Sequence, residues 1–537
     1  MVLACTILLC GCSKSFLDTK QPGVTDINDF FKTDADGTQA IMACYNMLDA
    51  LNASIWTSMW MAKASLCDEI YTGGANSGDR PEYQELTTFT FGPTNSVITN
   101  IYRYAFMTIY RTNKIVDGFT SPTPYQALVV AEAKTIRAYM YLELVSLYGP
   151  VPLTTHELSP SEWQAKSSTI DELYAQIELD LNDAIAALPV KSAMVAAGMD
   201  KARVSKGTAQ AFLGKALLYE KKYAEAATVL QALIDSHEYS LYTLAELGYG
   251  TNEMAYSQLF RKSTEFGKES IFELSWASTR GNDWSNAFGD LWNDPSRTNP
   301  SNTIWELCGP RGDEGFNGGS LGINGGWGFG YPTYNILNAF RQAGDSVRLH
   351  GNIATEAQIV AAGGSLRDAT SHNYMWGCPG FIRLKYTSWA DETAPPTAEL
   401  NYGSNLRIIR YADVLLMAAE AYLQNNQAAT ALPLINQVRN RVNLPSLGSV
   451  ALADIKLERQ LELYCENSRY LDLVRWGDAG TVLANLGQSI PTGIFSGGVM
   501  TFNSNPAAGF KSPKDLRFPI PFNEINANPN VTQNPGY

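Results

Sequence analysis

Residues 213–230 read LGKALLYEKKYAEAATVL, and this stretch decides the predicted fold. Leu213 and Gly214 lie on one apolar helical pattern, and the polar residues 220–222 interrupt it as a turn. The buried face of the next helix is marked by Tyr223, Ala226 and Leu230. These offsets match the tetratricopeptide pattern, in which small residues let two antiparallel helices approach closely. The stretch therefore predicts an antiparallel helix pair.

A second copy of this pattern lies far downstream. Ala418, Ala419 and Tyr422 fit its first helix, residues 424–426 (QNN) its turn, and Ala431 with Ile435 its second helix. A helical solenoid needs about three such units to bury its faces. We therefore expect the units to form one scaffold, although a long segment separates them.

Two further helices are predicted between the N-terminus and the first copy. One carries the apolar residues of segment 133–147. The other covers residues 170–188, opens with the capping-box pair Thr169 and Glu172, and closes at Pro189. The predicted fold is thus mostly α-helical, with a tetratricopeptide-like scaffold of helix pairs.

Residues 245–400 have a different composition and are predicted to be a long, loop-rich, irregular insertion. Ten of the 22 residues 309–330 are glycine, which favours ordered loops over helices. The insertion also holds five tryptophans within 52 residues: Trp276, Trp284, Trp292, Trp305 and Trp327. Each ring alone is expected to fix a loop onto the scaffold, but as a group they predict at least one exposed ring at a binding surface.

Cys12 follows a short apolar run and a glycine, and the polar residues Ser13, Lys14 and Ser15 come after it. This order resembles a bacterial lipoprotein signal, cut before the cysteine and lipidated on it. The alternative is that residues 1–12 form the first strand or helix of a soluble protein. The positively charged region that usually precedes the apolar run is absent, which leaves the true start of the signal peptide open. No later run of about 18 apolar residues predicts a membrane-spanning helix.

The formal net charge is −13, from 40 Lys and Arg against 53 Asp and Glu. This charge disfavours nucleic acid and anionic membrane surfaces as partners but not neutral ligands. Besides Cys12, the predicted mature chain has cysteines at 44, 67, 308, 378 and 465. Their spacing matches no metal site, so they are expected to be small buried hydrophobic residues. A disulfide between Cys308 and Cys378 is the alternative. No metal site and no cofactor are predicted.

Five segments in order along the chain carry a family resemblance. They are 131–139 (AEAKTIRAY), 147–153 (LYGPVPL), 410–421 (RYADVLLMAAEA), the acid- and arginine-rich segment 458–477, and 518–537, which starts FPIP and ends QNPGY. Together they resemble the SusD/RagB family of Bacteroidetes outer-membrane lipoproteins. The resemblance covers nearly the whole mature chain.

The resemblance implies an outer-membrane, lipid-anchored protein that faces the cell exterior and sits on a SusC-like TonB-dependent transporter. Such a protein captures an oligosaccharide, or in some members a peptide, and passes it to the transporter. The implied organisation is a signal peptide (1–11), an anchor and extended segment (12–35), an N-terminal helical region (36–244), the insertion (245–400) and a C-terminal helical region (401–537).

Two stretches are predicted to contact the ligand. The first is the polar, glycine-rich loop 68–80, which resembles the loop supplying polar contacts in family members; its candidates are Asp68, Tyr71, Asn76, Asp79 and Arg80. The second lies in the insertion, with candidates Asn282, Trp284, Trp292, Trp327 and Tyr331. Aromatic rings suit the C–H faces of a pyranose, and polar side chains suit its hydroxyls.

Other readings remain open at the level of sequence. Residues 311–315 (RGDEG) are expected to be a solvated turn, with a calcium site as the alternative. Glu462, Glu466, Arg469, Asp472 and Arg475 lie at helical spacing and are expected to pair with one another as a structural ion network.

A lipid-anchored glycosidase is the enzyme alternative, although no pair of acids stands out. A purely structural helical adaptor would be favoured if all five insertion tryptophans were buried.

Overall fold

The computed structural model describes residues 30–53, 58–284, 302–312 and 315–537, and Cys12 lies outside them. In this part of the chain the fold is mostly helical. Its helices are α1 (Asp34–Ala53), α2 (Met59–Ser65), α3 (Pro81–Thr88), α4 (Ser96–Gly118), α5 (Pro124–Leu147), α6 (Ile170–Ala187), α7 (Lys191–Ala196), α8 (Lys206–Tyr219), α9 (Tyr223–Asp235), α10 (Leu244–Leu247), α11 (Asn252–Ser257), α12 (Ile304–Cys308), α13 (Tyr334–Gln342), α14 (Ser346–Asn352), α15 (Glu356–Ala361), α16 (Tyr411–Gln424), α17 (Ala428–Arg441), α18 (Leu452–Glu462), α19 (Arg469–Trp476), α20 (Ala479–Val482) and α21 (Phe522–Ala527).

The strands are short and pair two by two. They are β1 (Ile70–Tyr71), β2 (Ser270–Leu274), β3 (Tyr331–Pro332), β4 (Ile353–Thr355), β5 (Phe381–Arg383), β6 (Leu406–Arg410), β7 (Ser489–Ser496) and β8 (Val499–Ser504). The antiparallel pairs are β1 with β3, β2 with β6, β4 with β5 and β7 with β8. These sheets connect loops to the helical body and form no separate β layer among the described residues.

The stretch that opened the sequence argument forms the helix pair α8 and α9. A Cβ atom at position 214 would lie only 2.4 Å from Cδ2 of Leu230. A larger residue there would force the buried Leu230 side chain to shift, so Gly214 allows the close approach of the two helices. The second copy forms α16 and α17, and Tyr422 on α16 donates a hydrogen bond to Oε1 of Gln231 on α9 (3.0 Å).

The two helix pairs therefore pack together across the intervening sequence, and the predicted mostly α-helical fold is confirmed. The pairs are compatible with a tetratricopeptide-like scaffold. The predicted helix starting at residue 170 is α6, and its capping box is formed: the Thr169 hydroxyl accepts from the Glu172 N–H (3.2 Å), while the Glu172 carboxylate accepts from the Thr169 N–H (2.7 Å).

The segment 245–400 contains the short helices α11 to α15 as well as loops. Most of its apolar residues join the main core, but ten side chains form a small second cluster. That cluster is Phe316, Ile323, Tyr331, Ala354, Ile359, Leu366, Met375, Cys378, Ile382 and Trp389. The glycine-rich part is therefore a set of ordered loops with a hydrophobic core of its own beneath them.

A buried ion network joins this segment to the C-terminal helices. Arg348 of α14 contacts Glu458 (2.7 Å) and Glu462 (3.0 Å) of α18. Glu462 also pairs with Arg410 (2.7 Å) and with Arg441. Burial opposes ionisation of Glu462, but Arg441, Arg410 and Arg348 outweigh burial and hold its pKa well below the usual range.

The expectation of a structural ion network is thus met, but the predicted pairing within it is mostly wrong. Of the five residues predicted to pair with one another, only Asp472 and Arg475 do so (2.8 Å). The others find partners on distant elements, because α18 ends at Glu462 and α19 begins only at Arg469, so the helical spacing does not continue between them. Arg469, for example, pairs with Asp68 (2.8 Å).

The cysteines behave as predicted for small apolar residues. Cys44, Cys67, Cys308, Cys378 and Cys465 are all buried and unbridged, so the alternative of a Cys308–Cys378 disulfide is wrong. In the described ranges, no helix is both long enough and apolar enough to cross a bilayer.

Candidate functional site

The two stretches predicted to contact ligand lie side by side. Strands β1 and β3 pair so that Tyr71 faces Tyr331, and beyond them the Gly74 N–H donates to the Gly328 carbonyl (3.1 Å). A Cβ atom at position 73 would lie 1.9 Å from that same carbonyl oxygen. Glycine at 73 therefore allows the polar loop 72–80 and the glycine-rich loop 309–330 to touch backbone to backbone.

The polar loop is held in shape by its own side chains. The Asn76 Oδ1 accepts from the Gly78 N–H (2.8 Å), and the Asp79 Oδ2 accepts from the Ala75 N–H (2.8 Å). Asp79 also lies 3.6 Å from a guanidinium nitrogen of Arg311, on the neighbouring loop. Asn76 is exposed and Asp79 half-buried, so the loop presents polar groups in a fixed arrangement.

Arg80 closes this loop and begins the next helix. It adopts a left-handed conformation (φ 48°) at the start of α3, and its guanidinium pairs with Glu82 (2.6 Å). The side chain is half-buried and lies 5.6 Å from the ring centre of Tyr83. Arg80 therefore stands at the border of the polar loop with a charge balanced by Glu82.

Two of the tryptophans form a stacked pair on this surface. The rings of Trp284 and Trp327 are nearly parallel, at 10°, with centroids 6.2 Å apart. Trp284 is 51% exposed, and Trp327 is half-buried. The Trp327 N–H donates to the Glu306 carbonyl (2.9 Å), which fixes its position on the glycine-rich loop. An exposed aromatic pair on a fixed backbone is a platform for a ligand with an apolar face.

Trp305 and Trp276, the other described members of that group of five tryptophans, are part of the core. Trp305 is 0% exposed, stacks on Tyr386 with centroids 5.0 Å apart, and donates its Nε1–H to the Ser404 carbonyl (3.0 Å). Trp276 is also buried. Both expected roles therefore occur: Trp305 and Trp276 fix loops in the core, and Trp284 is exposed. Trp292 lies outside the described residues. The hypothesis of a purely structural adaptor required all five tryptophans to be buried, and the exposed Trp284 does not meet that requirement.

Three candidates lie inside the fold rather than on its surface. Asp68 is buried, with both carboxylate oxygens bound by Arg469 (2.8 and 3.0 Å). Tyr331 belongs to the small core cluster, and its hydroxyl accepts from the Arg311 N–H (3.0 Å). Asn282 is buried as well. We correct the sequence-based assignment accordingly: these three support the candidate surface from below.

Asn282 has a specific supporting role beside Trp284. Its N–H donates to the Asn401 Oδ1 (2.9 Å), and its carbonyl accepts from the Asn401 Nδ2 (2.9 Å). This reciprocal pair anchors the backbone two residues before the exposed ring. Tyr71 is half-buried at the edge of the same surface, in edge-to-face contact with Tyr334 (centroids 6.5 Å apart), and burial raises its pKa to about 12.

The sequence argument missed two residues that shape the surface. Arg311 entered only as part of a solvated turn, yet its guanidinium reaches from the glycine-rich loop to Asp79 of the polar loop. Asn401, which holds Asn282, is 119 residues away along the chain. No local pattern marks either residue. Asp313 and Glu314, the acids of the calcium alternative, lie outside the described residues, within which no cluster of three or more metal-binding side chains occurs.

A helical scaffold that presents a stacked aromatic pair beside a polar loop is the architecture of a binding protein for a ligand with apolar faces and hydroxyl groups. Family comparison agrees with this class. A model described as "SusD family" matches residues 268–537, and a model described as "Starch-binding associating with outer membrane" matches residues 15–218. The chain belongs to the SusD family.

Individual relatives are similar over most of their length. "SusD-like protein P2" of Formosa agariphila is 26% identical, with 99% of this chain and 98% of the relative covered. Starch-binding protein SusD of Bacteroides thetaiotaomicron is 22% identical, with 86% and 82% covered. Among solved structures, a laminarin-binding SusD-like protein is 28% identical with a TM-score of 0.76, covering 94% of this chain and 99% of that protein.

Proposed function

We propose that this chain is a cell-surface, lipid-anchored protein that captures a neutral oligosaccharide and delivers it to a SusC-like TonB-dependent transporter. The observation that carries the proposal is the exposed, nearly parallel pair Trp284 and Trp327 beside the polar loop of Asn76 and Asp79. The net charge of −13 favours a neutral glycan over an acidic one.

The chemistry of the surface suits a sugar chain. The C–H face of a pyranose packs against an indole ring, while its hydroxyls exchange hydrogen bonds with amide and carboxylate groups. Asn76 can both donate and accept, Asp79 accepts, and Arg311 and Arg80 donate. Because the loops are already fixed by their own hydrogen bonds, little ordering is needed when the sugar binds.

The relatives support a glycan rather than a catalytic reaction. The 28% identical structural relative is named for laminarin binding, and another relative is named for starch binding. The carboxylates of the two candidates Asp68 and Asp79 lie against Arg469 and Arg311. A carboxylate that lies beside an arginine at the surface, as that of Asp79 does, is placed to accept hydrogen bonds from sugar hydroxyls.

Titration of soluble glycans into the purified protein tests the proposal directly. We expect saturable binding of laminarin or another neutral glycan, such as amylopectin or galactomannan, with a dissociation constant between roughly 1 μM and 1 mM and no turnover of the sugar. Isothermal titration measures the binding, and product analysis after overnight incubation measures the turnover. Binding of peptides but of no glycan would favour the peptide-binding alternative, and turnover would favour the glycosidase.

Replacing Cys12 with alanine is expected to move the protein from the membrane fraction to the soluble fraction. Each acyl methylene buried in a bilayer contributes about 0.8 kcal/mol, so loss of the acylated thiol removes most of the membrane affinity. Fractionation of cells followed by a carbonate wash measures the change. Cys10→Ala, two residues earlier in the predicted signal peptide, is the matched control and should leave the protein membrane-bound. A Cys12→Ala protein that resists the wash would contradict lipid anchoring.

A further inference from the structure

A second cleft lies in the N-terminal half of the scaffold, between α4, the loop after α5 and the C-terminal tail. Its volume is about 690 Å³, within the range of roughly 300–1,000 Å³ typical of small-molecule sites. It shares no residue with the surface around Trp284 and Trp327. Its main apolar lining is Tyr102, Phe106, Met107, Tyr110, Leu158 and Trp163.

Two aromatic rings of this cleft are exposed to solvent. Trp163 is 67% exposed and Tyr110 is 50% exposed. Below them, Phe106 packs on Tyr102 with ring centroids 4.7 Å apart. Large exposed rings in a concave site are unfavourable in water unless something covers them, so this cleft has the apolar character of a ligand site.

Trp163 is exposed although its loop is firmly held. The Gln164 side chain donates to the Ala527 carbonyl (3.2 Å), and the Gln164 carbonyl accepts from the Asn530 Nδ2 (2.7 Å). One residue further, the Ala165 carbonyl accepts from the Asn528 Nδ2 (2.8 Å). Two of these hydrogen bonds hold backbone carbonyls next to Trp163, and the third holds the Gln164 side chain. The loop that carries the ring is therefore already ordered, which lowers the entropy cost of binding there.

Polar groups without strong partners also face the cleft. Tyr102 is only 5% exposed, and its hydroxyl is buried with no hydrogen-bond partner among the described residues. The Glu524 carboxylate receives one long hydrogen bond, from Asn528 (3.5 Å), and burial raises its pKa. A buried hydroxyl left unpaired is unfavourable, and a ligand that pairs with it removes that penalty.

We propose that this cleft is a second glycan-binding site, which takes one or two neutral pyranose units between Trp163, Tyr110 and Tyr102. The proposal rests on the proposed function, since it assumes that the chain binds a neutral polysaccharide. A sugar ring would cover the exposed aromatic faces, and one of its hydroxyls would bridge the Tyr102 hydroxyl and the Glu524 carboxylate.

The shape of the cleft argues for a sugar rather than a protein partner. A specific protein interface usually buries about 800 Å² on each partner over a broad surface. A concave site with a few exposed rings and converging polar groups is instead typical of small ligands. Two sites on one molecule would raise the apparent affinity for a long polysaccharide, because the second contact becomes intramolecular.

The test compares variants of the purified protein in affinity electrophoresis on laminarin, amylopectin, xyloglucan and galactomannan. We expect Trp163→Ala to weaken retardation by the best of these polymers about three- to tenfold. Tyr102→Phe should weaken it about two- to tenfold without lowering Tm, because the hydroxyl that it removes has no partner within the protein. Tyr249→Ala, which removes a ring that is 58% exposed outside the cleft, is the matched control and should bind as the parent does.

A titration with a hexasaccharide of the same glycan counts the sites. Two sites in the parent that become one in Trp163→Ala, and one remaining site in Trp284→Ala, would support the proposal. One site in the parent, lost in Trp284→Ala and kept in Trp163→Ala, would overturn the second site and leave the proposed function standing. No binding by the parent to any of the four polymers would overturn both.

A pull-down with an affinity-tagged SusC-like transporter separates a sugar site from a protein interface. If Trp163→Ala keeps full glycan binding but no longer copurifies with the transporter, the cleft is a protein contact and the proposal is wrong. If Trp163→Ala copurifies as the parent does and loses one sugar site, the proposal is supported.

Discussion

Replacing Trp284 with alanine should abolish measurable glycan binding by the loop surface while changing the free energy of unfolding by no more than about 1 kcal/mol. The ring is 51% exposed and stacks on Trp327, so its loss removes half of the aromatic platform but opens no cavity in the core. Isothermal titration with a hexasaccharide of the glycan that the parent binds best measures binding, and a thermal melt of the same sample measures stability.

Trp305→Ala is the matched control, because it removes the same side chain from the core. Trp305 is 0% exposed and stacks on Tyr386, so we expect a loss of about 3–5 kcal/mol through the cavity left behind. Trp327→Ala should fall between the two, since that ring is half-buried. If Trp284→Ala melts and binds as the parent does, the platform lies elsewhere, and Asp79→Ala and Arg80→Ala become the variants that locate it.

The helical scaffold was within reach of the sequence because its signals are local. The capping pair Thr169 and Glu172 lies three residues apart, and both of its hydrogen bonds form as the pattern predicts. Gly214 and Leu230 are also near neighbours in sequence, and they lie in contact where α8 and α9 approach closely. Patterns of this kind need no knowledge of the rest of the chain.

The candidate surface was only partly within reach, because the position of a loop side chain depends on distant partners. Asp68 looks like a ligand contact in its polar loop, yet its partner Arg469 is 401 residues away. Tyr331 lies in a glycine-rich turn, yet a small core cluster surrounds it. Composition identified the right segments, but only the fold shows which side chains face outward.

The same reason explains why the ion network was expected with the wrong pairs. Charges at helical spacing suggest contacts along one helix. Glu462 instead pairs with Arg348, which is 114 residues away in sequence, and with Arg441, which is 21 residues away. Such contacts place α14, α17 and α18 at fixed positions relative to one another. The segment that carries Trp327 is thereby joined to the C-terminal helices through Arg348.

Replacing Glu462 with glutamine should destabilise the fold by about 3–5 kcal/mol. The carboxylate lies among Arg348, Arg410 and Arg441, all of them buried, and glutamine would leave those guanidinium groups without its charge. Breaking a buried ion pair by removing one partner costs far more than breaking an exposed one. Urea denaturation at pH 7 measures the difference, and Asp183→Asn, which breaks the more exposed pair with Lys134, should cost less than about 1 kcal/mol.

The pH dependence of the same variant separates the charge of Glu462 from its packing. The pKa of Glu462 is lower in the folded protein than its value of 4.5 in the unfolded chain, so its stabilising contribution is present above pH 4.5 and is lost as the pH falls below that value. The parent should therefore lose stability steeply in acid. Glu462→Gln should lose less over the same range, because it lacks the Glu462 carboxylate and only the remaining carboxylates with lowered pKa values, such as Glu466 and Asp472, still take up protons. The two unfolding free energies should converge as the pH falls. Parallel curves from pH 7 to pH 3 would mean that the charge of Glu462 contributes nothing, and that the network stabilises the protein by packing alone.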